Sequence, residues 1–294
     1  MNKRLILTTF AFLIPLCVFA QKSAPKFGKV SKAEVEMTTY ENEPEALYIY
    51  DKKDVFYQND FSFCYDVYVR IKIFSKDALE LANVEIPYMS FGDSSESIKG
   101  LDANTYNMVD GAVVKTPMSK KNVFTDKVSD HMAVVKFSLP EVREGSVIEY
   151  KYTLKTRYFS RLGRFDIQHN YPVQHSIIDI NLPEFIGYMI NSHGLLPFDI
   201  NQEYSDNIFR IGRTSFAVKR ISTHNDDVPS IREEPMVWCL DDFKMGFELE
   251  VTSIVLPEAQ IFESYATDWA SVNESLRKSD FGRQQNARNP FAKE

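Results

Sequence analysis

The residues able to do chemistry in this chain are few and scattered. Cys239 stands in Val237-Trp238-Cys239-Leu240-Asp241-Asp242, with His224 upstream. A thiol attacks only as the thiolate, so a cysteine hydrolase or acyltransferase centred on Cys239 needs a base such as His224, oriented by a carboxylate such as Asp241. The competing role for Cys239 is a small apolar residue beside a tryptophan. His169 and His175 could ligate a metal, but Pro172 between them interrupts the strand that would align them. Asp166 and Asp179, the nearest carboxylates, sit at no recognised ligand spacing. The acidic pairs Asp226-Asp227, Glu233-Glu234 and Asp241-Asp242 lack the Asp-x-Asp-x-Asp-Gly spacing of a calcium loop, and solvated loop charge is expected of them.

The sequence holds no Walker loop, dinucleotide glycine fingerprint, Gly-x-Ser-x-Gly, His-Glu-x-x-His or Cys-x-x-Cys. The expectation is therefore no catalytic residue, no cofactor-binding residue, no metal ligand and no cofactor. The aromatics fall mostly on the apolar side of alternating strands, where core packing explains them. One exception is Thr156, Arg157, Tyr158 and Phe159, where alternation fails after Leu154; that cluster is a candidate binding surface.

The elements that would position these residues are strands. Phe61, Phe63, Tyr65, Val67, Val69, Ile71 and Ile73 alternate with Ser62, Cys64, Asp66, Tyr68, Arg70 and Lys72, which predicts a long half-buried strand. The period of two recurs at Val135, Phe137 and Leu139, and at Ile148, Tyr150, Tyr152 and Leu154 opposed by Glu149, Lys151, Thr153 and Lys155. It recurs again at Ile178, Ile180 and Leu182, and at Phe247, Leu249 and Val251. Asp110-Gly111 predicts a two-residue hairpin and Glu144-Gly145-Ser146 another turn. Ser31-Lys-Ala-Glu34 has capping-box spacing for a helix over by Thr38, and Lys76 to Ala82 reads as one or two helical turns. Strands with one apolar face must cover it with another sheet. The fold class is thus all-β: an antiparallel β-sandwich over 46–262, either one sandwich or two packed β-subdomains meeting near Phe159 to Gln168. Residues 21–45 precede it as an extended and short helical segment.

Lys3 and Arg4, the apolar stretch Leu5 to Phe19 and the small residues of Val18-Phe19-Ala20 read as a signal peptide over 1–20, cut after Ala20. The stretch is too short and too Pro-broken at Pro15 for a membrane helix, so a periplasmic or extracellular protein is expected, not an integral membrane protein. Lipid attachment at Cys17 is disfavoured, because Leu16 stands where a small residue is needed. An oxidising compartment permits Cys64 and Cys239 to pair, a matter their separation in the fold decides. With Lys+Arg 34 against Asp+Glu 41, net charge -7 and no basic run, nucleic acid is excluded as a partner. The 44% hydrophobic content excludes a disordered polymer.

The strand beginning at Phe61, the hairpin Asn107-Met-Val-Asp-Gly-Ala-Val-Val114, Leu139-Pro-Glu-Val-Arg-Glu-Gly-Ser-Val-Ile-Glu-Tyr150 and Val228-Pro-Ser-Ile-Arg-Glu-Glu-Pro235 together resemble the domain of unknown function 3857 family. The resemblance implies an exported β-domain of the kind that precedes a transglutaminase-like domain in Gram-negative bacteria. It also implies that the catalytic Cys, His and Asp belong to that downstream domain, which this sequence does not include. Cys239 does not match that cysteine, because the family's nucleophile opens a helix and Cys239 follows Pro235 in extended sequence. The tail from Asp268-Trp-Ala-Ser-Val-Asn273 to Asp280-Phe-Gly282 is similar to the linker helix leading into the catalytic domain.

Within 263–294, Trp269, Val272 and Leu276 recur at helical spacing, with Thr267 as the expected cap and Gly282 past the end. One helix cannot bury such a stripe alone. The functional expectation is a non-catalytic exported module whose docking stripe is Trp269, Val272 and Leu276. Its expected partner is a transglutaminase-like catalytic domain or an envelope protein or glycan. The alternatives are a cysteine hydrolase at Cys239 and a cell-envelope glycan- or peptide-binding module.

Overall fold

The computed structural model describes residues 25–90, 96–157, 161–232, 235–257, 260–265, 268–280 and 282–283. The signal segment, Tyr158 and Phe159, Glu233-Glu234 and Thr267 lie outside the described residues. The first half holds strands β1 (Ala46–Tyr57), β2 (Phe63–Ile73), β3 (Asn83–Met89), β4 (Ser97–Val109), β5 (Ala112–Pro117), β6 (Val123–Lys127), β7 (Met132–Ser138) and β8 (Val147–Thr156). The second holds β9 (Arg161–Asp166), β10 (Val173–Pro183), β11 (Ile186–His193), β12 (Asn201–Ile211), β13 (Thr214–Val228), β14 (Gly246–Leu256) and β15 (Ile261–Ser264). Helix α1 (Lys32–Glu36) precedes the strands and helix α2 (Trp269–Lys278) follows them. The protein is an all-β sandwich with few helices.

Local chemistry accounts for the connections. Asp110 and Gly111, at φ 49° and 77°, close the β4–β5 hairpin in the left-handed region that a two-residue turn requires. Ser31 caps α1: its hydroxyl accepts from the Glu34 N–H at 3.2 Å, and the Glu34 carboxylate accepts from the Ser31 N–H at 2.6 Å. Lys76–Ala82 forms a 3-10 turn. At the other end Asp268 caps α2, accepting from the Ser271 N–H at 2.6 Å. The N-cap is thus Asp268 where Thr267 was expected, and the C-cap is Ser279, three residues before Gly282.

Eight strands form one sheet in the order β12-β13-β10-β1-β2-β8-β4-β5. It runs without a break across the boundary expected near Phe159 to Gln168, because β1 lies beside β10. That pair is parallel, Val55 facing Ile180, and corrects the expectation of a wholly antiparallel sheet. Its cause is the path of the chain. After β8 it crosses to β9 in another sheet and returns along β10 in the same direction as β1.

Two smaller sheets pack on one face of the large one. Phe63, at the start of β2, enters a core closed by the sheet of β9, β11, β14 and β15, with Phe165, Phe247 and Leu249. Further along the same row, Val69, Ile71 and Ile73 enter a second core closed by β3, β7 and β6, with Val135 and Phe137. The alternating row of β2 therefore serves both cores, and Tyr48 of β1 touches each.

The alternation predicts the opposite row to be the wet side of a half-buried strand. The structure corrects this: Arg70, Lys72 and Glu149 are at most 1% exposed. Residues 26 to 36 lie across this outer face as a strap, and Val35 packs there with Leu47, Ile49, Tyr106 and Val147. Alternation shows which residues share a face and says nothing of what covers it.

Candidate functional site

The strap leaves part of the outer face open. Neighbouring strands present Lys151 and Thr153 of β8, Asp66 and Tyr68 of β2, and Tyr50, Lys52 and Asp54 of β1 around a groove of about 390 Å³. Their register places Asp54 opposite Asp66, and Asp66 opposite Thr153, whose hydroxyl donates to it at 2.5 Å. Lys52 reaches Asp54 at 2.6 Å. The Tyr50 and Tyr68 rings lie 5.3 Å apart, and the Lys151 ammonium stands 4.6 Å from the Phe27 ring centroid on the strap. Aromatic edges between paired charges can hold a polar ligand by stacking and hydrogen bonding.

Beneath the strap is a buried polar network. Glu149 accepts from the Tyr106 hydroxyl at 2.6 Å, the Gly28 N–H at 2.7 Å, the Tyr68 hydroxyl at 2.9 Å and the Arg70 guanidinium at 3.0 Å. Arg70 also donates to Glu34 at 2.6 Å and to the carbonyls of Lys26 and Lys29. Glu34 thus caps its own helix and pairs with the sheet; burial raises its pKa, and Ser31 and Arg70 bring it below the usual value.

Lys72 is different, because its ammonium donates to two carbonyls, Val35 and Gly145, at 2.6 Å each. Burial alone pushes its pKa down to about 8. Between that value and the ordinary 10.5 the unfolded chain binds the extra proton, so stability rises with pH through this window. Wild type should accordingly gain roughly 1–2 kcal/mol relative to Lys72→Met between about pH 8 and pH 10. Urea melts of both proteins across that range check it, and a constant difference would refute the lowered pKa of Lys72.

A second buried group lies on the inner face. Asp51 accepts from Lys53 at 2.8 Å and is 2.7 Å from the His169 ring nitrogen, whose ring stacks on Tyr48 at 4.4 Å. Burial raises the Asp51 carboxyl, but Lys53 and His169 overcome it and hold it well below the usual carboxylate range. His169 is therefore a fixed neighbour of Asp51.

His175 behaves otherwise. Its Nδ1 lies 2.6 Å from Asp226 Oδ1, its register partner across β10 and β13, and His224 Nε2 lies 3.1 Å from the same oxygen. One donor atom from each of the three residues falls within 4.8 Å of the others. Burial raises the Asp226 carboxyl, and the two histidines bring it below the usual value. Next to it Asp227, at φ 52°, accepts from the Tyr40 hydroxyl. The sequence named His175 and Asp226 but joined neither to the other. The legible signal was His224-x-Asp226, which an extended strand puts on one face.

The remaining candidates stay apart. Cys239 is exposed and Cys64 buried, and both are free thiols; burial raises the Cys64 pKa. Around Cys239 the loop projects Met236 and Trp238, at 96% and 102% exposure. His224 is engaged with Asp226, and Asp241 with Lys244 at 2.6 Å, and among the described residues no hydrogen bond joins either to Cys239. Asp166 pairs with Arg164, and Asp179 with Arg220, each at 2.6 Å. Helix α2 buries none of its residues: Trp269 is 88% exposed, Leu276 55%, and Val272 is half-buried. Among the described residues no helix is long and apolar enough to cross a membrane.

Comparison with known proteins follows the fold. The crystal structure of "a putative protease" from Parabacteroides distasonis superposes with a TM-score of 0.60 at 16% identity, covering 82% of this chain and 45% of that one. The chain thus spans less than half the length of that neighbour, and the likeness is one of fold. No curated protein matches the sequence. Residues 59–204 match the model of a family described as a Domain of Unknown Function with a solved structure, DUF3857. These run from the residues before β2 into β12 and include the hairpin at Asp110-Gly111 and the buried Arg70 and Glu149; over this stretch, just under half of its length, the chain matches the DUF3857 family.

Proposed function

We propose that this chain is a non-catalytic, exported β-sandwich module that docks a transglutaminase-like catalytic domain through helix α2. The observation that carries the reading is the unburied stripe of α2, with Trp269 and Leu276 in solvent on a helix well capped by Asp268. A capped helix with no fully buried residue gains little from its own fold, so its apolar stripe is available to a partner. The DUF3857 match and a fold neighbour named as a protease support a setting beside catalytic machinery. The leader-like first twenty residues support export into the periplasm or beyond.

A photo-crosslinking residue at position 269 in the exported protein should capture a transglutaminase-like domain, and Leu276→Glu should reduce the yield at least tenfold. Adducts lacking such a domain would overturn the reading. The outer groove favours a second one, an envelope glycan or peptide held between Tyr50, Tyr68 and the surrounding charges. Crosslinks to such a ligand from position 151, with none from 269, would decide for it.

A further inference from the structure

We propose that His175, His224 and Asp226 form a binding site for a divalent transition-metal ion of the zinc class on the outer face of the large sheet. The site is independent of the docking helix, and its geometry comes from the β ladder. His175 and Asp226 are directly opposed across β10 and β13, and His224 precedes Asp226 by two residues on the same strand face. Backbone hydrogen bonding therefore fixes the three Cβ positions before any ion arrives, so little chain entropy opposes binding.

The donor set suits that class of ion. Two imidazoles and one carboxylate match the ligands of zinc, nickel or copper better than the all-oxygen sets of calcium and magnesium. Three donor atoms lie within 4.8 Å of one another. Bonds of about 2.0–2.2 Å place neighbouring tetrahedral donors about 3.4 Å apart. The contacts at 2.6 and 3.1 Å need to open by less than about 1 Å, which half-exposed side chains allow without moving the strands. In the metal-free form the two ring nitrogens share one carboxylate oxygen. The ion takes that place by accepting a lone pair from each ring; a neutral ring moves its proton to the other nitrogen, and an imidazolium releases one to solvent. The exposure of His224 and Asp226, 58% and 56%, leaves water to complete the coordination.

The test uses the full chain, treated with chelator and then titrated with cobalt(II) or zinc(II) alone. Expected are one ion per chain by calorimetry and a visible d–d band of four- or five-coordinate cobalt(II), displaced by zinc. His175→Ala and His224→Ala should each weaken binding at least tenfold, and His131→Gln should leave it unchanged. Asp226→Asn keeps the shape of the side chain and should weaken binding comparably, which separates loss of a ligand from loss of fold. Absence of stoichiometric binding, or equal binding by wild type and all three ligand variants, overturns the proposal.

Discussion

Glu149→Ala should lower the free energy of unfolding by about 3–5 kcal/mol, the range for removing one partner of a buried ion pair. The side chain is fully buried and accepts from Tyr68, Tyr106, Arg70 and the Gly28 N–H. Deleting it removes the acceptor of two phenolic hydroxyls, the Asn104 amide, the Gly28 N–H and half of the Arg70 pairing, donors that are buried or partly buried. Glu149→Gln keeps the shape and one carbonyl acceptor, so its loss should be smaller. Because the Gly28 contact joins strap to sheet, the alanine variant should also become sensitive to trypsin at Lys26, Lys29 and Lys32 before global unfolding. Denaturant melts and timed digestion measure both. A variant within about 1 kcal/mol of wild type, with the strap still protected, would show that the network does not hold the strap.

Phe247→Ala and Phe137→Ala, one in each core, should each cost about 3–5 kcal/mol. Phe247 is 1% exposed and stacks on Phe165 at 5.2 Å; Phe137 is 3% exposed and meets Tyr150 edge-on at 6.0 Å. The stronger expectation concerns cooperativity. Strand β2 supplies Phe63 to one core and Val69, Ile71 and Ile73 to the other, so neither core can open while β2 stays in place for its neighbour. Both variants should unfold in a single transition, with far-UV and near-UV circular dichroism coincident. Two transitions in either variant, one per core, would show that the halves fold separately.

The apolar rows were readable because a strand buries alternate residues whatever its neighbours are. Ile178, Ile180, Leu182, Phe247, Leu249, Val135 and Phe137 all lie in the core as their period predicts, and the Asp110-Gly111 turn and the Ser31–Glu34 box form at the expected places. What the sequence concealed depends on which strands become neighbours. Nothing local in β1 says that it will lie parallel to β10. The burial of Arg70, Lys72 and Glu149 needs the strap, which comes from residues 26 to 36. The site suffers from the same limit: His175 and Asp226 are 51 residues apart and meet only because β10 pairs with β13. Cys239, His224 and Asp241 are closer in sequence, and closeness along a strand–turn chain is a poor guide to contact.

The parallel seam between β1 and β10 also crosses the limits of the family match, with β10 inside them and β1 outside. The family match opens at residue 59, after β1 has ended, and closes at 204, inside β12. A polypeptide cut to those limits would lose the strand that joins the two halves, together with β13 and β14, which complete the core around Phe63.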